Sequence, residues 1–270
     1  MRASEDPDAQ RLFDAQRDTR ILVAIAAGGG EIAGSVVAEV FDRAVRPDRV
    51  RISVAVPSDR PSDPTLDRWS DDPRVSIERV PVRRPPDGVS PGGVMGQLRS
   101  GARRRFDAEP FVVLVDAPTR FASGWDERAI TVLQSADADR PLIDLATADR
   151  SNPAEDVAEP ATSPSPARPV RVVRDRLVDV LAPGRLCVDI PADDEDRDGS
   201  RLAIRAYTHG YDCFGIDAAL IAVPIVESAP NADGSEMTGP PAPVSPPDTV
   251  DRLGGRRTVA AFHRLIARGD

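Results

Sequence analysis

The sequence predicts an α/β protein with a mixed, mostly parallel central sheet. The apolar run Arg20 to Ala27 is followed by a stretch with helical apolar spacing, Glu31 to Ala44, and then by the alternating segment Val50 to Val56. Strand, helix and strand in close succession form a βαβ unit, which places the two strands parallel in one sheet. A second uninterrupted apolar run, Pro110 to Asp116, is typical of a strand buried on both faces.

Further elements are predicted in order along the chain. Apolar residues at helical spacing predict helices at Val94 to Phe106, Asp126 to Gln134, from about Ser200, and after the N-cap residue Thr258. Shorter apolar runs predict strands at Arg74 to Val82, Pro141 to Ala146, Val170 to Val173 and Leu186 to Ile190. We expect Val112 to Val115 at the centre of the sheet, beside Leu22 to Ile25 or another parallel neighbour.

Length and composition limit the classes of protein to consider. The 270 residues suffice for one large domain. We expect an N-terminal extension over residues 1–19 and a single domain over 20–270, with flexible loops near 149–169 and 230–247. No apolar stretch reaches the ~20 residues that span a bilayer, and the N-terminus lacks a signal-peptide core. The sequence therefore predicts a cytoplasmic protein without a membrane span, and the net charge of −9 argues against nucleic-acid partners.

Asp116 is the first candidate for a functional side chain. It ends a predicted central strand, where open α/β sheets bind ligands. In nucleotide-sugar enzymes an aspartate at such a position helps to hold a divalent cation against the diphosphate. An aspartate that makes a turn with Ala117 and Pro118 is the structural alternative, and spacing alone favours it, so both interpretations stay open.

Two further segments contain candidate functional residues. His209 is one of only two histidines and lies between two tyrosines, so a general acid or base, a phosphate donor and a metal ligand are all chemically possible. A histidine that holds a helix-to-strand turn at Gly210 is the structural alternative. The glycines Gly28 and Gly29 follow the first strand and precede a helix, so their amides are candidates for binding a phosphate.

Four segments together resemble one family. They are Ile21 to Ala27 with Arg46 to Ile52, Val115 to Phe121 with Gly124 to Glu127, Arg205 with Thr208 to Asp212, and Leu253-Gly254 with Arg257-Thr258. In this order they resemble the N-acetylglucosaminyltransferases that modify hydroxyproline in proteins, and the bacterial relatives of those enzymes. The resemblance covers most of the chain.

The resemblance implies a GT-A fold, a retaining sugar transfer and UDP-GlcNAc as the donor, with an acceptor protein or glycan that it does not identify. It also implies roles for particular residues. These are a metal or diphosphate contact at Asp116 and catalytic roles for Asp198, the acceptor-side carboxylate, and for His209 and Asp212. In a metal-independent transferase, arginines such as Arg120 and Arg205 neutralise the diphosphate instead. Gly28 and Gly29 stand where the family carries Ser-Tyr-Arg-Asp, so donor binding at these two residues rests on their amides. We therefore expect Asp116 and the segment Thr208 to Asp212 to meet in one cleft.

Departures from the family concern the metal site. The family carries Asp-Ser-His where this chain has Asp116-Ala117-Pro118, and its later histidine is missing from Ile221 to Pro224. Because Mn²⁺ and Mg²⁺ need several ligands to replace their waters, we expect weak binding of either ion. The alternative to an active transferase is a degenerate family member that binds a sugar nucleotide or a partner protein.

Overall fold

The computed structural model describes residues 19–28, 33–61, 63–82, 92–117, 119–145, 169–172, 177, 179–190, 200–216, 221–222 and 256–268. Its strands are β1 Ile21–Ala26, β2 Val50–Pro57, β3 Val75–Val80, β4 Phe111–Asp116, β5 Arg120–Phe121, β6 Pro141–Asp144, β7 Pro169–Arg171, β8 Val180–Pro183, β9 Asp212–Ile216 and β10 Ile221–Ala222. Its helices are α1 Ala33–Arg43, α2 Pro64–Asp67, α3 Gly92–Arg103, α4 Trp125–Ser135, α5 Leu186–Asp189, α6 Ser200–Thr208 and α7 Val259–Arg268.

Eight strands form one sheet in the order β3-β2-β1-β4-β8-β6-β9-β7. The strands β3, β2, β1 and β4 are parallel to one another, and β8 is antiparallel to both β4 and β6. Because β9 is parallel to β6, six strands share one direction, with β8 and the edge strand β7 opposed. The carboxyl ends of β1, β4 and β6 therefore lie along one edge of the sheet, and the start of β9 lies along the other.

Helices cover both faces of the sheet. Alternate residues of β4 point to opposite sides, as the pleat of a strand requires. Val113 and Val115 pack with buried residues of α1 and α4, whereas Val112 and Leu114 pack with α3, α6 and α7. All four side chains are buried, and β4 pairs with β1 over its whole length. The prediction of a central buried strand beside Leu22 to Ile25 is confirmed.

One predicted strand is wrong. Leu186 to Ile190 is not a strand, because Leu186–Asp189 forms the short helix α5. Leu186 and Ile190 are one helical turn apart and both are buried, whereas Val188 on the other side is 67 % exposed. The neighbouring strand is β8, which the sequence analysis missed.

The two predicted loops lie outside the described residues, apart from Pro169, which begins β7. In the described part of the chain, no helix is long and apolar enough to cross a membrane.

Candidate functional site

The carboxyl edge of the parallel strands carries the candidate site. Asp116 ends β4 opposite Ala26 of β1, and the amide of Ala117 donates to the carbonyl of Ala26 at 2.8 Å. Gly28 follows β1 by two residues, so it lies at the same edge as Asp116. This edge is the place where open α/β sheets bind their ligands.

Arg99 holds the carboxylate of Asp116. Its Nε donates to Oδ1 at 2.9 Å and its Nη2 to Oδ2 at 2.5 Å, which makes a bidentate ion pair. The two side chains are 20 % and 24 % exposed, so the pair is accessible from solvent. Arg99 lies on α3, which covers the face toward which Asp116 points. Side chains of a helix lean toward its N-terminus, and α3 begins at this edge, so Arg99 reaches the end of β4.

Two more carboxylates lie along the same edge. Asp144 ends β6, and Asp179 comes immediately before β8, the strand between β4 and β6. The Oδ1 atom of Asp179 accepts from the amide of Asp116 at 3.0 Å. Both side chains are almost completely buried, with 3 % and 2 % exposure. The sequence analysis named neither residue, nor Arg99. A carboxylate at the end of the predicted strand Pro141 to Ala146 was the available signal for Asp144.

The described residues do not fit a divalent-cation site. Both oxygens of Asp116 already accept from Arg99. Within the described ranges, no group of three or more histidine, cysteine, aspartate or glutamate side chains is placed to hold a metal ion. A cation at Asp116 would have to displace the guanidinium and recruit other ligands. We therefore derive no step through a metal ion.

Gly28 has a packing reason to be glycine. A Cβ atom at this position would lie 2.9 Å from the sulfur of Met95 on α3. The absent side chain lets the helix approach the end of β1 and leaves backbone, not side chain, facing this part of the edge. Gly29 lies outside the described residues, so its predicted role in donor binding stays a prediction.

Arg120 lies four residues beyond Asp116, in β5. The following residue, Phe121, donates its amide to Glu39 of α1 at 3.3 Å, which holds β5 on the face of the sheet opposite α3. The Arg120 side chain is exposed. Arg120 is therefore close to Asp116 in sequence, but β5 places it on the opposite face of the sheet from Arg99.

His209 caps a helix. Its amide and its Nδ1 atom both lie 2.9 Å from the carbonyl oxygen of Arg205, and its own carbonyl accepts from Arg140 at 3.1 Å. Gly210 follows with φ of 84°, a left-handed conformation that favours glycine. These contacts are those of the turn from α6 into β9, which was the structural alternative for this histidine.

Asp212 lies in an ion cluster at the start of β9. Its carboxylate accepts from Arg257 at 2.8 Å and forms an ion pair with Arg171 at 3.0 Å. Arg205 is buried in the last turns of α6, beside His209. Asp198 lies outside the described residues, so its predicted role as the acceptor-side carboxylate stays a prediction.

The expected meeting of Asp116 with Thr208 to Asp212 is wrong. Asp212 pairs with Pro141, and the register through β6 and β8 places it level with Phe111, the first residue of β4. Asp116 is five residues further along β4, about 16 Å, and three strands away, about 14 Å. The two segments lie at opposite edges of the sheet, because β9 starts where β4 starts and Asp116 is where β4 ends.

The segment Gly124 to Glu127, which contributed to the family resemblance, serves the scaffold. Asp126 is completely buried and accepts from the amides of Val45 and Arg46 and from the Arg49 guanidinium. Trp125 donates its indole N–H to the carbonyl of Val40. These bonds fasten α4 to the connection between α1 and β2, at a distance from the candidate site.

Comparisons with known proteins agree with the fold. No protein-family model matches the chain, and no curated protein matches it. Among solved structures, the chain is similar to S. aureus TarS, with 15 % identity and a TM-score of 0.50, and to residues 1–349 of TarS, with 14 % identity and a TM-score of 0.52. Each comparison covers 76 % of this chain, but only 36 % and 60 % of the two TarS chains. The chain thus has a GT-A-like fold.

Proposed function

We propose that this protein binds a nucleotide-activated sugar at the carboxyl edge of β1 and β4 and transfers the sugar to an acceptor. The GT-A-like fold supports this proposal, because GT-A folds bind nucleotide-activated sugars at this edge of the sheet in the family that the sequence resembles. UDP-GlcNAc is the donor to test first, since the hydroxyproline-type family that the sequence resembles uses it. The acceptor that we propose is a protein or glycan that carries a hydroxyl group.

The observation that carries the proposal is the Arg99–Asp116 pair at the end of the central strand. A guanidinium recognises phosphate oxygens through planar, paired N–H donors and keeps its charge at any physiological pH. Asp116 orients that guanidinium through two hydrogen bonds. The absence of a side chain on Gly28 leaves the neighbouring backbone open to a ligand.

The chemistry that this arrangement supports is transfer with departure of the diphosphate. The bond between the anomeric carbon and the phosphate oxygen breaks, the acceptor oxygen bonds to that carbon, and the acceptor proton passes to the leaving diphosphate. Negative charge develops on the leaving group. Arg99 is the fixed cation that would stabilise it in the way that preorganised donors stabilise other developing charges.

A second candidate function is binding without transfer. Both oxygens of Asp116 are already engaged by Arg99, and the predicted catalytic residues His209 and Asp212 lie at the far edge of the sheet. The fold and the Arg99–Asp116 pair are equally compatible with a degenerate glycosyltransferase, which binds a sugar nucleotide but does not transfer the sugar.

Calorimetry with UDP-GlcNAc, with and without Mn²⁺, tests the proposal. We expect Arg99→Gln to weaken donor binding by about tenfold, because a charge-assisted hydrogen bond is lost. The matched control is Arg104→Gln, since Arg104 is an exposed arginine just past the end of α3 whose ion-pair partner is Glu78. We expect this control to bind the donor as the unmodified protein does.

Release of UDP separates the two candidate functions. Turnover of UDP-GlcNAc, with or without Mn²⁺, identifies a transferase, and binding without turnover identifies a sugar-nucleotide binding protein. Donor binding that is unchanged in both Arg99→Gln and Asp116→Asn would overturn the placement of the site. Mn²⁺ binding of micromolar affinity that Asp116→Asn abolishes would contradict the expected weak metal binding.

A further inference from the structure

A cavity of about 270 Å³ lies at the edge of the sheet opposite the candidate donor site. It lies between the face of β6 and β9 and the helices α6 and α7, and it is partly open to solvent. Its apolar lining is Leu142, Val172, Leu177, Ala203, Ala206, Phe262 and Leu265, with Cys213 and the rings of Tyr207 and Tyr211. Leu142, Ala203 and Phe262 are among the most buried side chains of the protein, so the floor of the cavity belongs to the core.

The ion cluster beside the cavity carries a surplus of positive charge. Arg257 donates to one oxygen of Asp212 at 2.8 Å. Arg171 forms an ion pair with the other oxygen at 3.0 Å from the opposite face of the sheet, where its exposed guanidinium lies over the Phe214 ring. Two guanidinium groups thus share one carboxylate, which leaves a net charge of one positive unit on this cluster. The contacts to Asp212 use only part of the five N–H donors that each guanidinium has.

Arg257 is held in a defined orientation at the cavity. Its Nη1 donates to the carbonyl of Tyr211 at 3.1 Å, and its guanidinium lies over the Tyr207 ring, 4.9 Å from the ring centre. The Tyr207 ring in turn packs against Phe262 at 5.4 Å between centres. An arginine fixed in this way has little conformational freedom to lose when it binds an anion.

We propose that this cavity binds a small carboxylic acid with an apolar body. The apolar lining matches the body, and the single surplus positive charge matches one carboxylate. A phosphate ester would bring about two negative charges into a mostly apolar enclosure and leave one of them uncompensated. Since an apolar cavity of ~150 Å³ accepts benzene, this one has room for about ten non-hydrogen atoms.

Octanoate is the probe, because its size and charge match the cavity. We expect calorimetry to give a dissociation constant on the order of 10⁻⁴ M for octanoate. Octanol and octylamine have the same apolar chain without the negative charge, so we expect each to bind at least about tenfold more weakly. Equal binding of octanol and octanoate, or no binding of octanoate, would overturn the proposal.

Three variants locate the binding site. Arg257→Gln removes a cation of the cavity, and we expect it to weaken octanoate binding by about tenfold. The matched control is Arg185→Gln, because Arg185 belongs to the neighbouring ion cluster around Asp189 and does not line the cavity. Octanoate binding should be unchanged in this control.

Ala206→Leu fills part of the cavity and replaces no charged residue. We expect it to abolish octanoate binding while the melting temperature stays the same or rises, as in other substitutions that fill a void. This variant tests the proposal even if Arg257→Gln does not fold. Octanoate binding that survives Ala206→Leu would show that the acid binds elsewhere. UDP-GlcNAc binding is measured on the same variant, and its retention would show that the two sites are independent.

Discussion

At the level of single residues, the buried carboxylate of Asp126 shows that a recognisable sequence motif, Gly124 to Glu127, can stabilise the fold without forming part of the site. Burial by itself would raise the pKa of Asp126. The amides of Val45 and Arg46 and the Arg49 guanidinium outweigh that effect and hold the pKa below its ordinary value. The ionised form is therefore the one that the folded protein stabilises.

Asp126→Ala should destabilise the protein by about 3–5 kcal/mol, because it leaves the buried Arg49 without its counter-charge. Urea unfolding followed by circular dichroism measures the change. The control is Asp42→Ala, an exposed aspartate at the end of α1, for which we expect a change within about 0.5 kcal/mol.

The same interaction predicts a pH dependence. A depressed pKa means that the unfolded chain binds the proton more readily than the folded protein does. The stabilisation from Asp126 is therefore complete above the unfolded value of ~3.9 and is lost as the pH falls through the lower folded value. The stability difference between the unmodified protein and Asp126→Ala should narrow in that range. A difference that stays constant down to the lowest pH would assign the effect to packing alone.

One residue of the candidate site, Asp116, could be predicted from the sequence, but its partner Arg99 could not. Asp116 was predicted because it ends the strongest apolar run in the chain. Arg99 was not predicted, because it is one of many arginines and its pairing depends on where α3 crosses the sheet. His209 was a candidate from its neighbours in the sequence, and its catalytic role with Asp212 was predicted from a resemblance. A motif gives no information about which end of a strand it occupies. The antiparallel strand β8, which was missed, is the element that fixes the register between β4 and β6.

At the level of secondary-structure elements, the turn after β8 is packed too closely to accept a side chain. The amide of Gly184 donates to the carbonyl of Pro110 at 2.7 Å. A Cβ atom on Gly184 would lie only 1.7 Å from the carbonyl oxygen of Glu109 and 2.8 Å from the Phe106 ring. The chain leading into β4 and the chain leaving β8 thus contact each other backbone to backbone.

Gly184→Ala should therefore destabilise the protein by about 1–3 kcal/mol or more, because one of the two backbone segments must move. The midpoint of thermal unfolding measures this change. Gly28→Ala is the matched control, since the added methyl group meets the flexible end of Met95 and not a backbone atom. We expect a clearly smaller decrease in melting temperature for Gly28→Ala, and equal decreases would contradict the assignment of the effect to the backbone contact.

Long elements with a clear apolar period were predicted correctly, and so were the short strands β6 and β7, but the segment around Leu186 was not. β1, β2, β4 and the helices α1, α3 and α4 have enough residues for the pattern to decide their type. The segment around Leu186 has too few. Five residues, four of them apolar, fit a strand and a single helical turn equally well, so the tertiary contacts of α5 decide between them.

At the level of the whole molecule, charge has opposite effects on a nucleotide ligand at long and short range. The chain carries a net charge of −9, which repels a diphosphate at a distance. Near the carboxyl edge, the guanidinium of Arg99 attracts it. Added salt screens both interactions, so the sign of the salt dependence shows which one dominates binding.

We expect UDP, GDP and ADP to compete at similar, weak affinity, and to bind more weakly as salt increases. The physical reason is that the solvent-accessible pair described at this edge, Arg99 and Asp116, recognises phosphate and a hydroxyl but not the atoms that distinguish one base from another. Competition against a fluorescent nucleotide at ionic strengths of about 0.01 M and 0.15 M measures both effects, since the Debye length falls from ~30 Å to ~8 Å between them. Arg99→Gln removes the short-range attraction, so nucleotide binding to this variant should no longer weaken as salt increases. Binding that strengthens with salt would show that the net charge dominates. Tight binding of UDP-GlcNAc that excludes GDP-sugars and ignores salt would show instead that base and ribose are recognised by residues other than this pair.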